Sequence, residues 1–147
     1  MSSEVKKDAG KLRYDLIPYA SLDEVVKVLT LGNKKYPEPE QNWLVNSAPS
    51  DVARYEAAIM RHMSAVFQGE EFDPEMGTDH LAHVACNCLF IMAIKAKWVK
   101  VKEDSAKGIA MSEEDEALLV KDGWMTPEEE QDWHNKMVKK GLTNGPI

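Results

Sequence analysis

Cysteine, positive charge and long apolar runs are all scarce in this chain, and each scarcity excludes something. Its two cysteines, Cys86 and Cys88, lie two residues apart in an apolar stretch. On a helix, residues at i and i+2 do not face each other, so a mutual disulfide is not expected. Reduced thiols and a cytoplasmic setting are the expectation, and the spacing does not fit a zinc finger. Lys and Arg number 18 against 25 Asp and Glu, a net charge of −7. That balance argues against coating polymeric nucleic acid, which needs a broad basic footprint, and leaves a single nucleotide open as a substrate. The longest apolar run, Val84 to Ile94, is interrupted by Asn87. It falls short of the roughly 20 residues that cross a bilayer, so no membrane association is expected. The opening M-S-S-E-V-K-K-D has no apolar centre and does not read as a secretory signal. There is no glycine-rich phosphate loop, no Ser or Cys nucleophile beside a base, and no pair of Glu-x-x-His units of the di-iron kind.

What the chain does have is helical periodicity. With 147 residues, 44% of them hydrophobic, it is one domain with room for a core. Residues 1–10 read as loose and polar, and K-L-R-Y-D-L-I-P as an extended segment docked on the domain. Ser21 and Glu24 look like a capping box opening a first helix that ends near Gly32. A loop with two prolines carries Lys34, Lys35, Tyr36, Asn42 and Trp43. Ser50 is the expected N-cap of a second helix with Val52, Tyr55, Ile59, Met63 and Val66 on its apolar face. Thr78 is the expected cap of a third, with Asp79 in its first turn. From Leu81 to Ile94 that helix is apolar almost all round, which predicts burial. The chain turns polar after Trp98. A short acidic helix capped by Ser112 follows, then one opened by Thr126-Pro127 and ended at Gly141, leaving T-N-G-P-I as a mobile tail. The expected fold is all-α. Residues 1–100 hold the bundle core, and residues 101–147 are a helical C-terminal extension of the same domain.

The stretch from Ile59 to Asn87 concentrates ligand chemistry. It holds His62, His80 and His83, three of the four histidines, together with Glu70, Asp73 and Asp79. If its two flanks are helices closing on the turn with Gly69, Pro74 and Gly77, antiparallel pairing sets His62 opposite residues 80–83. Carboxylates suit Mg²⁺ and Mn²⁺, and imidazoles move the preference towards Mn²⁺, Fe²⁺ or Zn²⁺. A packing network of buried histidines that binds no metal is about equally available. A second group is basic: Lys11, Arg13, Lys34 and Lys35 flank the first helix, and Arg61 lies beside His62. These residues suit a phosphate chain, although ordinary surface charge explains them as readily. Asn42 and Trp43 supply an amide edge and a stacking surface, or an anchor for their loop. Together the groups point to metal-assisted hydrolysis of a phosphoanhydride, with water as nucleophile.

The ordered motif K-x-R-x-D-L-I-P, L-G-x-K-K-Y, N-W, then R-H-x-x-A-x-x-x-G-E-x-x-D-P-E-x-G-x-x-H-x-x-H-x-x-x-N-x-x-F resembles the phage-type dATP/dGTP diphosphohydrolases. These are counted among the MazG-like, all-α nucleoside triphosphate pyrophosphohydrolases, and some, called MazZ, cleave dGTP in phages that replace adenine by 2-aminoadenine. The resemblance covers about residues 8 to 95. It implies a MazG-like bundle that forms a homo-oligomer, dimer or tetramer, and hydrolyses purine deoxynucleoside triphosphates to monophosphate and pyrophosphate. Such an enzyme would adjust the nucleotide pool during phage DNA synthesis in the host cytoplasm. It implies Mg²⁺ or Mn²⁺ held among Glu56, Glu70, Asp73, Asp79, His80 and His83. Glu70, Asp73 and His83 would serve catalysis, and Lys11, Arg13, Lys34, Lys35, Asn42, Trp43 and Arg61 the substrate. The superfamily pattern of E-x-x-E on one helix and E-x-x-D on the next is not matched, since the third helix reads D-H-L-A-H. An HD-type phosphohydrolase would need adjacent His-Asp, and the chain has Asp79-His80 in the reverse order. The reading from another class is a non-catalytic helical protein with a structural metal or histidine cluster.

Overall fold

The structure is a computed structural model and describes residues 7–139. The first six residues and the helix end and tail expected around Gly141 lie outside the described residues. Within them the fold is all-α: α1 (Tyr19–Lys35), α2 (Asn42–Val45), α3 (Asp51–Phe67), α4 (His80–Ala106), α5 (Glu113–Lys121) and α6 (Pro127–Lys139), preceded by a 3₁₀ turn at Tyr14–Leu16. The only pairing of strand type among the described residues is an isolated antiparallel bridge between Phe72 and Asp79. No helix described is long and apolar enough to cross a membrane.

The α3–α4 hairpin is the centre of the molecule. Its turn is tied by backbone hydrogen bonds: Glu70 N donates to Ala65 O (2.9 Å), Asp73 N to Thr78 O (2.8 Å), and His80 N to Glu71 O (3.0 Å). Gly69 and Gly77 bend the chain there at φ of +88° and +69°, values a side chain resists. α1 packs its Val25 and Val28 on Ala82 and Cys86 of α4. A second cluster joins Val52, Ile94 and Trp98 to Met111, Leu119 and Met125, so α5 closes over the same core as the hairpin. A cross-link of 2.7 Å from Ser50 N to the Asp122 carboxylate fastens the start of α3 to the end of α5.

Several local expectations are corrected. α1 begins at Tyr19, so Ser21 lies inside the helix and does not cap it, and Gly32 does not end it. Ser50 precedes α3 but makes no side-chain cap. Asp79, rather than Thr78, caps α4, its carboxylate accepting from Leu81 N at 2.8 Å. The polar sequence after Trp98 is still helical, since α4 runs on to Ala106. Charged residues every third or fourth position keep that part of the helix solvated without disrupting it. The loop prolines leave room for a helical turn at Asn42–Val45, entered through Gln41 at φ 53°. The α5 and α6 caps are as the sequence predicts. Ser112 Oγ accepts from Asp115 N, and Thr126 and Glu129 exchange a reciprocal pair of bonds.

Two further corrections concern burial. The K-L-R-Y-D-L-I-P segment is not docked: Leu12, Tyr14 and Leu16 are all exposed. Nor is α4 buried all round within one chain, because Leu81, Cys88, Leu89, Met92 and Val99 are exposed on one side. α3 carries a matching stripe of exposed residues, Ala53, Ala57, Met60, Ser64 and Phe67, at alternating spacings of four and three. Met60 is 71% exposed and Phe67 79%. Helical phase turns this stripe away from Asp51, Arg54, Ala58 and His62, which face the cavity described below.

Candidate active site

The short turn of the α3–α4 hairpin fixes which residues meet. His62, one turn from the end of α3, reaches His80 at the start of α4, Nδ1 to Nδ1 at 2.9 Å. It also stacks on His83, with ring centroids 4.5 Å apart and planes 11° from parallel. His80 Nε2 lies 2.8 Å from Glu70 Oε1, and His83 Nε2 lies 2.6 Å from Thr78 Oγ1 and 3.6 Å from Asp73 Oδ2. A carboxylate only accepts, so His80 carries its proton on Nε2 when neutral. Its Nδ1 then accepts from His62 Nδ1–H, which leaves His62 Nε2 with a free lone pair. With that tautomer, the side-chain contacts run in one donor order, His62 to His80 to Glu70.

Burial holds His62 below the ordinary imidazole range, and the neighbouring His83 and His80 add to the effect. Burial likewise lowers His83, against the pull of Asp73. Burial would raise the Asp73 carboxyl, but the Glu75 N–H bond (2.7 Å to Oδ1) and the nearby His83 outweigh it and keep the group low. Both histidines are therefore neutral and Asp73 ionised near neutral pH, the protonation states that metal ligands require. Ligand atoms of His62, Asp73 and His80 all lie within 4.8 Å of one another. Two imidazoles with a carboxylate form a donor set of the kind that holds a first-row divalent cation. Small movements from this spread give the bond lengths of about 2 Å that such a cation needs. In addition, Glu70 already fixes the His80 ring so that Nδ1 faces the cluster, the usual part of a carboxylate behind a ligand histidine.

Beside this cluster lies a cavity of about 560 Å³. His62, His83, Asn87 and Phe90 form one wall; Val28, Leu29, Gly32 and Asn33 of α1 another. Trp43, Asn42 and Asn46 of the α2 segment form the third, with Asp51, Arg54 and Tyr55 of α3. Trp43 packs on Phe90 with ring centroids 4.1 Å apart. Four amides, Asn33, Asn42, Asn46 and Asn87, line the cavity alongside the charged Asp51 and Arg54, and each amide offers both donors and an acceptor.

The sequence-selected residues divide accordingly. His62, Glu70, Asp73, His80 and His83 come together, and Asn42 and Trp43 line the cavity. Asp79 is engaged as the α4 cap, and Glu56 and Arg61 sit exposed on α3 without lining the cavity. Lys11 and Arg13 are exposed and paired with their own neighbours, Asp8 at 3.2 Å and Asp15 at 2.7 Å. Lys34 is exposed at the end of α1, whereas Lys35 reaches across to Glu75 of the hairpin turn at 3.2 Å. Arg54 went unselected, yet it lines the cavity, held 2.8 Å from Asp51. Helical phase reveals it, because 54, 58 and 62 share a face. Asn46 is likewise one turn beyond Asn42 and donates to its side-chain oxygen.

A protein-family model described as "dATP/dGTP diphosphohydrolase, N-terminal" matches residues 1–105. A relative named dATP/dGTP diphosphohydrolase, from Salmonella phage PMBT28, is 32% identical over 87 residues, which are 59% of this chain and 28% of that protein. The chain therefore aligns with less than a third of that relative's length. No solved structure matches. The hairpin, its histidines and the α2 wall all fall inside the matched range, and on that match the chain belongs to the dATP/dGTP diphosphohydrolase N-terminal family.

Proposed function

We propose that the chain hydrolyses purine deoxynucleoside triphosphates, dGTP or dATP, to the monophosphate and pyrophosphate, with a divalent cation at the hairpin. The observation that carries this reading is the convergence of His62, Asp73 and His80 ligand atoms within 4.8 Å, next to a cavity of about 560 Å³. A volume of that order suits a nucleotide-sized ligand. Mn²⁺ or Mg²⁺ is the proposed ion, and the two imidazoles favour Mn²⁺. When bound, such a cation neutralises phosphoryl oxygens and makes water a better nucleophile at neutral pH. His62 would offer its Nε2 lone pair, His80 its Nδ1 lone pair once the hydrogen bond from His62 is released, and Asp73 an oxygen. Glu70 orients His80, and His83, whose Nε2 contacts Thr78 and Asp73, would accept a proton from water. Asp79 would join only if it released its cap, and Glu56 only after a rearrangement of α3.

The triphosphate would extend from the cluster towards Arg54 and Lys35, and the base towards Trp43, Asn42 and Asn46. Lys34 and Arg61 are near enough in sequence to assist at the cavity rim. Lys11 and Arg13 would need the N-terminal segment to fold over the site of their own or a neighbouring chain. A MazG-like bundle and a second copy packed on the exposed stripes of α3 and α4 complete the proposal. The four-three spacing of those stripes is the pattern that buries one helix seam on another. Such an enzyme would shape the purine deoxynucleotide pool of an infected cell. The test is incubation with each deoxynucleoside triphosphate and Mn²⁺ or Mg²⁺, with products separated. Monophosphate plus pyrophosphate from dGTP or dATP is expected; nucleoside plus triphosphate, or no turnover with any metal, contradicts the reading.

A further inference from the structure

Lys97 has no place in the chemistry described so far, yet its ammonium makes four polar contacts away from the histidine cluster. Its ammonium donates to Leu44 O (3.1 Å), Val45 O (3.2 Å), Ser47 O (3.4 Å) and Ser47 Oγ (3.3 Å). Those acceptors belong to the end of α2 and the residues just after it. A helix of four residues offers few helical donors to its final carbonyls, although Leu44 O also accepts from Ser47 N at 3.2 Å. An ammonium has three donors and no acceptor, so converging carbonyls are a fitting partner for it. Ser47 is itself buried, and its hydroxyl donates back to Leu44 O at 2.8 Å. The Lys97 ammonium also lies 4.9 Å from the Trp98 ring centroid.

Position along α4 gives these contacts a consequence. Phe90 and Lys97 are seven residues, about two turns, apart and share a face of α4. Phe90 holds the ring of Trp43 at the start of α2, and Lys97 holds the carbonyls at its end. Between these fixed points the α2 segment presents Asn42, Trp43 and Asn46 to the cavity. The segment enters through Gln41 in the left-handed region, so its own backbone preference does not set this geometry.

We infer that Lys97 is a positioning residue for the nucleobase side of the site: through the Leu44, Val45 and Ser47 carbonyls it fixes the α2 wall that receives a purine. This rests on the nucleotide reading above. Lys97 touches neither the hairpin cluster nor, on this placement, the substrate. Its removal therefore loosens base recognition and leaves the hydrolytic end unchanged.

The test compares wild type with Lys97→Met, Lys97→Arg and Ser47→Ala in steady-state hydrolysis of dGTP and dATP. Hydrogen exchange of residues 42–47 is followed alongside. Lys97→Met is expected to raise KM about tenfold with kcat changed less than about twofold. Its 42–47 amides should exchange at least about tenfold faster, with α3 unaffected. Lys97→Arg keeps the charge and should recover most of the KM loss; Ser47→Ala, which removes one acceptor, should shift KM by about two- to threefold in the same direction. If Lys97→Met does not fold, the Arg and Ala variants carry the comparison. An unmoved KM in the folded variants, or a loss confined to kcat, overturns the role of Lys97. Wild-type protein that turns over neither dGTP nor dATP overturns the nucleotide reading instead, and the two failures are thereby told apart.

Discussion

The hairpin turn and the N-terminal segment carry similar densities of charged and polar residues, but only the hairpin assembles them. His62, Glu70, Asp73, His80 and His83 meet because two helices joined by a tied turn must bring residues equidistant from it face to face. Lys11 and Arg13 meet no such constraint. They pair with Asp8 and Asp15, their neighbours in sequence, and stay exposed. Charge density alone thus says little about a site. What matters is whether the backbone removes the freedom of each group to find a local partner. The same contrast separates the two sides of the hairpin. The cavity side brings histidines, amides and charged groups together with aromatic and aliphatic ones, and the opposite side is a largely apolar stripe left exposed among the described residues.

The largest effect should come from breaking the assembled region. Asp73→Asn or His62→Ala should each lower kcat/KM for dGTP and dATP at least about 100-fold, a loss of the size seen when ligands or their immediate supports are removed. Circular dichroism should show an intact helical fold. A drop below about threefold would mean that the cluster is packing and not chemistry. Next comes the opposite face. If a second copy covers it, Met92→Asp should convert a dimer to monomers in sedimentation equilibrium, since a carboxylate cannot be buried unpaired in an apolar seam. Cys88 should then gain reactivity towards iodoacetamide. Cys86 should remain inert in both forms, because burial pushes its thiol up to about 12. A wild type that sediments as a monomer contradicts the covered face. Smaller still, Gly77→Ala imposes a side chain at φ +69° and should reduce unfolding free energy by about 1–2 kcal/mol in urea titrations. The smallest effect is reserved for the unassembled region. Lys11→Ala with Arg13→Ala should change kcat/KM less than about threefold if these pairs are merely exposed, as such pairs contribute little. A loss above about tenfold would show that the segment closes over a site, its own or a neighbour's.

Much of the hairpin was legible in the sequence because it depends on few choices: helix period, turn length and antiparallel pairing place His62 against His80 and His83. The caps were less legible. Thr78 and Asp79 are both good N-cap residues, and the choice fell to His83, which takes the Thr78 hydroxyl and leaves Asp79 for Leu81 N. The start of α1 at Tyr19 overrode a good capping pair at Ser21 and Glu24, because helix could begin straight after Pro18. Arg54 and Asn46 were overlooked although each is one or two turns from a selected residue. Lys97 was not legible, because its partners are backbone carbonyls 50 to 53 residues away, which carry no side-chain signature. The exposed side of α4 is the instructive failure. Apolar sequence predicted burial, yet Leu81, Leu89, Met92 and Val99 are exposed, because hydropathy does not say which surface would supply the cover.

The proposal stands or falls on whether the histidine–aspartate cluster binds the divalent cation proposed for the reaction. Calorimetric titration of metal-stripped protein with Mn²⁺, for wild type and for the His62→Ala, Asp73→Asn double variant, is the most direct measurement. The account predicts saturable binding by wild type, its loss in the folded double variant, and pyrophosphate release from dGTP or dATP that appears only with added metal. Full hydrolysis in excess chelator, or undiminished Mn²⁺ binding by the double variant, would contradict it.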